Sequence, residues 1–154
     1  MPRVISSAAS FVSQRNQRPS WNARIATQNN ANFSNGEVIT SYNTAAVTHR
    51  IFGGINFDAS NGLAYVPCAG VYYVGTTVRY DAFTGNYFYI DIQHNSTTIN
   101  RSLDAANGNY LHRTVAAVRD CAAGDHFRLV FTSNGDTSVN INDDSYFFGH
   151  LIDG

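Results

Sequence analysis

The sequence predicts an all-β domain, a sandwich or a barrel of many short strands. Three observations carry the prediction. Turn signals recur at close intervals: Asn-Gly at 35–36, 61–62, 107–108 and 134–135, with Thr84-Gly85-Asn86 and Ala123-Gly124-Asp125 between them. Asn-Gly is a strong hairpin signal because both residues tolerate positive φ. The runs between these turns are short and rich in Val, Ile, Thr, Tyr and Phe, and no capped amphipathic helix follows residue 18. Short strands at even spacing are the pattern of sandwiches and barrels.

Taken in order, strands are expected over 20–26, 37–48, 49–57, 63–66, 70–80, 86–93, 97–103, 110–119, 126–132 and 145–152. Two of them alternate cleanly. Phe88, Ile90 and Ile92 alternate with Tyr87, Tyr89, Asp91 and Gln93, and Phe127, Leu129 and Phe131 alternate with His126, Arg128 and Val130. Such strands have one buried and one wet face. Two others do not alternate. After Gly70 come Val71, Tyr72, Tyr73, Val74, Thr76, Thr77 and Val78, and the last strand reads Tyr146, Phe147, Phe148, His150, Leu151 and Ile152. A two-layer sandwich covers only one face of each sheet. Strands apolar on both faces need a second cover, and an oligomer interface is the simplest.

Composition points the same way. Charged residues make up only 14% of the 154 residues, all ten basic residues are arginines, and seventeen asparagines supply much of the polarity. A surface short of charge is poor at keeping copies apart. The net charge of -1 offers no basic field for nucleic acid or an anionic membrane. No run of apolar residues is long enough for a membrane-spanning helix. Residues 1–17 lack the continuous apolar centre of a secretory signal and, being rich in Arg and Ser, share the composition of a transit peptide. Val4, Ile5, Phe11 and Val12 make the same segment a candidate arm for docking on a neighbouring protein; a frayed tail is the plainer alternative.

Three blocks in order resemble the complement C1q-like domain family, in its phage or bacterial type. In "FDASNGLAYVPCAGVYYVGTTVRYD", Phe57-Asp58, Tyr65, Pro67, Gly70 and Tyr72 follow the family signature. "AAGDHFRLVF" is similar to its Gly-Asp turn and the strand after it, and "SYFFGHLIDG" to its closing strand, with Phe147, Gly149 and Leu151 matching. "RPSWNARIA" resembles the opening strand. Val74 and Thr76 stand where the family has aromatics, and Phe148 and His150 replace a small residue and an aromatic. The resemblance covers one domain over 18–154 and leaves residues 1–17 as the candidate N-terminal arm.

It also implies a ten-stranded jelly-roll sandwich of the tumour necrosis factor type, assembled as a trimer. Strands 70–80, 110–119 and 145–152 would form the inner sheet at the threefold interface, with Val71, Tyr73, Thr77, Tyr146, Phe148 and His150 facing the neighbouring copies. Strands 86–93 and 126–132 would lie in the outer sheet. The same topology brings the turns at 67–70 and 121–125 together, so Cys68 and Cys121 are expected to be adjacent, as a disulfide or as two thiols.

The family acts by trimeric binding, without catalysis, and no stretch of residues 1–17 has the Gly-x-y repeat of the animal complement proteins. The expected function is a trimeric structural protein of a bacteriophage virion: a tail fibre, spike or head-fibre decoration. It would attach by the arm and touch a host glycan or receptor through its loops. A free-standing secreted C1q-like lectin or adhesin is the alternative.

No enzyme and no cofactor are expected. The five histidines, His49, His94, His112, His126 and His150, show no metal-ligand spacing, and no H-E-x-x-H, G-x-S-x-G or P-loop motif occurs. The candidate ligand loops carry Asp81, Phe83, Asn86, Asn107, Asn109, Asp136, Asp143 and Asp144. Oxygens of this kind suit calcium or a sugar, and they are also what ordinary turns are made of.

Overall fold

The computed structural model describes residues 18–45, 49–81, 83, 85–104, 110–134 and 138–154. Its regular elements are all β-strands. In chain order the first seven are β1 (Ser20–Ile25), β2 (Gln28–Ala31), β3 (Glu37–Val38), β4 (Tyr42–Asn43), β5 (His49–Phe52), β6 (Asn56–Asp58) and β7 (Leu63–Tyr65). The last seven are β8 (Gly70–Asp81), β9 (Tyr87–His94), β10 (Thr97–Asp104), β11 (Leu111–Cys121), β12 (His126–Asn134), β13 (Val139–Ile141) and β14 (Tyr146–Asp153).

They form two antiparallel sheets. The larger runs β2-β13-β8-β14-β1-β4, with β11 also on β8 and β5 also on β1; the smaller runs β10-β9-β12-β7-β6, with β3 on β12. Because β11 pairs β8 along its whole length, from Leu111 opposite Tyr80 to Cys121 opposite Gly70, the two longest strands anchor the large sheet. The small sheet turns on the β9–β12 pair, which runs from Phe127 opposite His94 to Asn134 opposite Tyr87.

The ten expected strands differ in two ways from the fourteen found among the described residues. The expected strands at 37–48 and 49–57 are each broken. The first yields β3 in the small sheet and β4 in the large one; the second yields β5 and β6, divided by a turn in which Gly53 and Gly54 both take positive φ. β2 and β13 come as additions. Their sequences, Gln28–Ala31 and Val139–Ile141, are too short and too polar to signal strands alone; β2 is held by pairing with β13, and β13 in turn by pairing with β8.

Along β8 the side chains of Tyr72, Val74, Thr76, Val78 and Tyr80 are all fully buried between the sheets. The hydroxyl of Thr76, a polar group in this core row, donates to the Tyr146 carbonyl at 2.8 Å, so its burial leaves no donor unmet. Aromatic rings fill the core in two groups. Trp21 stacks on Phe127 at 5.9 Å and meets the edge of Phe147 at 5.5 Å. Towards the other end, Phe131 takes Phe33 and Phe88 edge-on, each at 5.5 Å, and Phe88 lies 4.7 Å from Tyr80. Ring edges meeting ring faces in this way add to the burial of their area. Gly149 is the seat of Trp21: a Cβ there would lie 2.5 Å from the indole Cζ2.

β10 and β11, terminal strands of different sheets, lie along the same side of the sandwich. The β9–β10 register slips between Thr98 and Asn100. At that bulge the Asn100 amide donates across the gap to the Ala116 carbonyl at 2.6 Å.

Candidate functional site

On the outward face of the small sheet, polar side chains close on one another beside Tyr87, Tyr89 and Leu103, the last of them 54% exposed. Asp91, expected on a wet face by its alternation with Ile90 and Ile92, is only 2% exposed. Arg101 on the neighbouring strand covers it, with Nε and Nη2 donating to the two carboxylate oxygens at 2.5 and 2.6 Å. The same guanidinium lies over the Tyr89 ring at 4.6 Å. Beside it Arg128 Nε donates to Gln93 Oε1 at 2.8 Å.

The outward face of the large sheet is different in kind. A row of directly opposed residues crosses five strands: Phe52 on β5, Ser20 on β1, His150 on β14, Tyr73 on β8 and Val118 on β11. The adjacent row reads Arg50, Asn22, Phe148, Gly75 and Ala116. Tyr73 packs against His150 at 5.4 Å and against Phe148 at 6.3 Å. Gly75 leaves the space that the Phe148 ring occupies; a Cβ there would lie 2.7 Å from it. Phe52 and Val118 are more than half exposed, and Ile152 is 41% exposed. Where β1, β5 and β14 meet, Ser20, Asn22, Arg50, Phe52, Phe148 and His150 line an open groove of about 200 Å³.

Charge collects at one end of this face. Arg24 pairs with Asp143 and Arg79 with Asp144, each at 2.9 Å, and His112 sits opposite Arg79. Burial raises the Asp144 carboxyl, but the hydrogen bond and charge of Arg79 outweigh it and hold the group below the ordinary carboxylate range. Asp120 and Asp153, beside Val71, mark the other end.

The six residues expected at a subunit interface therefore share one face. Thr77 lies opposite Tyr146 and Tyr73 opposite His150, and Val71, Tyr73, Thr77, Tyr146 and Phe148 are half-buried while His150 is exposed. The expected ligand loops do not form one set. Asp143 and Asp144 are held by arginines, so a cation arriving there would meet two guanidinium groups. Asp81 accepts a hydrogen bond from Asn142 at 3.1 Å. Asn86 is exposed, its backbone amide bound to the Asn134 carbonyl. Phe83 is no loop ligand: it is 2% exposed and packs on Tyr80 and Phe88, because a ring that size gains more from the core than from water. Asn107, Asn109 and Asp136, and the arm residues Val4, Ile5, Phe11 and Val12, lie outside the described residues.

Cys68 and Cys121 are both free thiols. Cys121 ends β11 opposite Gly70, two residues past Cys68. Tyr72 stands by both. Its hydroxyl lies 3.4 Å from Cys68 Sγ and donates to the Cys68 carbonyl at 3.1 Å, and burial first, then Cys68, raises its pKa. Burial also pushes the Cys121 thiol up to about 12, so it is no activated nucleophile.

No family model matches the chain, and no curated protein matches it either. The two unlike sheet faces are what the molecule offers as a guide to its role.

Proposed function

We propose that the chain is a non-catalytic assembly protein of the C1q-like jelly-roll type, a homotrimer packed through the outward face of its large sheet. One observation carries this reading. The small sheet's outer face pairs Arg101 with Asp91 and Arg128 with Gln93, while the large sheet presents Phe52, Tyr73, Phe148 and Val118 in two rows whose one formally charged member is Arg50, at the β5 end. Depletion of charge and enrichment of aromatics at the centre, with charge at the rim, is the make-up of an interface core. The jelly-roll assignment is supported by the long strands passing from one sheet to the other: β8 lies in the large sheet, β9 and β10 in the small, β11 in the large, β12 in the small and β14 in the large.

The proposed setting is a bacteriophage virion, as a tail fibre, spike or head-fibre decoration, docked by residues 1–17 and meeting a host glycan or receptor through its loops. That setting is supported by the resemblance of residues 57–72, 122–131 and 145–154 to the C1q-like family. Light scattering on the purified chain tests the assembly. About three times the 16.9 kDa chain mass is expected; a monomer at micromolar concentration would overturn it.

A further inference from the structure

At the end of the sandwich where β9 passes into β10, the chain turns through Asn95 and Ser96, both at positive φ. Asn95 is tied to the neighbouring 121–126 turn three times. Its amide nitrogen Nδ2 donates to Asp125 Oδ1 at 2.7 Å, its Oδ1 accepts the His126 N–H at 3.0 Å, and its own N–H donates to the His126 carbonyl at 3.0 Å. The Ala122 N–H donates to Asp125 Oδ2 at 2.8 Å. Val66 fastens the turn from the other side, donating to the Asp125 carbonyl and accepting from Gly124. A carboxylate held this firmly has its direction set before any ligand arrives.

His94 Nε2 lies 3.0 Å from Asp125 Oδ2, and the ligand atoms of His94, Cys121 and Asp125 all fall within 4.8 Å of one another. We propose that these three side chains form a binding site for a divalent transition-metal ion of the zinc class. One imidazole nitrogen, one thiolate and one carboxylate oxygen are the donor types zinc takes, and three protein donors leave a fourth tetrahedral position for water. Zinc–ligand bonds of about 2.0–2.3 Å place tetrahedral donors about 3.3–3.7 Å apart. The His94–Asp125 pair would open slightly and the thiol would close by about an ångström to reach that spacing. Nε2 of the neutral His94 ring would offer its lone pair to the ion with the ring proton on Nδ1, and the Cys121 thiol would release its proton to solvent as the thiolate binds. The hydrogen bonds from Asn95 and Ala122 to the carboxylate persist as the outer support that metal ligands normally have.

The site joins the two sheets. Cys121 is the last residue of β11 in the large sheet, His94 the last of β9 in the small sheet, and Asp125 precedes β12. An ion there is a clip across the end of the sandwich, independent of how copies associate.

Cobalt(II) is the probe, titrated into the reduced full chain without oxygen. A thiolate-to-cobalt charge-transfer band is expected, saturating at one ion per chain and bleached by added zinc. Zinc should also raise the melting temperature, reversibly with a chelator. The band should vanish in Cys121→Ser and survive in Cys68→Ser. No band in the unaltered chain, or a band that survives Cys121→Ser, overturns the proposal. Should Cys121→Ser fail to fold, His94→Gln decides: cobalt binding about tenfold weaker or worse is expected, and unchanged affinity overturns the site.

Discussion

Asp91 shows how one residue can reverse the reading of its position. Its place in an alternating strand marks it as solvent-facing, yet it is buried, and it is tolerated because Arg101 meets both carboxylate oxygens. Removing one partner of such a pair costs more than the pair contributes, since the other is left desolvated and unpaired. Arg101→Ala is therefore expected to lower unfolding stability by about 1–3 kcal/mol, read from urea midpoints. Replacing both, as Asp91→Asn with Arg101→Leu, should recover part of that loss. A single substitution without effect would show that water already serves Asp91. The sequence could not announce this burial, because the covering residue is on the next strand and its reach depends on register.

At the scale of the strand, β8 was legible as a strand apolar on both faces, because its residues do not alternate between apolar and polar. Tyr72, Val74, Thr76, Val78 and Tyr80 form one buried row, and the apolar residues between them mark the second face. The closing strand β14 was legible for the same reason, and its Gly149 has a packing role: the Trp21 ring occupies the space of a side chain. Gly149→Ala should destabilise by about 1–3 kcal/mol through overpacking, because Trp21 is wedged between Phe127 and Phe147 and has nowhere to go. A shift in tryptophan emission should accompany the loss; an unfolding midpoint equal to that of the parent would mean the indole moves freely. β2 and β13 were illegible because their stability is not local. The His94–Cys121–Asp125 cluster was illegible too: ligand spacing can be read only within a short motif, whereas these residues come from two turns and two sheets.

Across the whole molecule, the contrast between the two outer faces makes a comparison of matched substitutions possible. Phe148→Asp puts a carboxylate in the aromatic rows of the large sheet, and Tyr87→Asp puts one on the outer face of the small sheet. The first is expected to shift the scattering mass from three chains towards one while β-sheet circular dichroism persists; the second should leave the mass unchanged. Equal effects from both would remove the large sheet's face from the assembly. The expectation rests on desolvation, since a carboxylate enclosed without a partner costs several kcal/mol and one in water costs nearly nothing. The apolar side of this contrast was visible in the sequence as strands greasy on both faces. The charge pairing on the other sheet was not, for it depends on which arginine reaches which acid.

The Asn100–Ala116 bond across the bulge of β10 has a further consequence. Strand ends of a sheet invite lateral recruitment of more strands, which is how soluble sandwiches become fibrils. Here two terminal strands flank one another, and an amide from one occupies a carbonyl that a foreign strand would need. A chain with so few charges to keep copies apart thus has its growth along the sheet plane hindered on the β10–β11 side by a single side chain. On that side association is left to faces, where it can close on itself and stop.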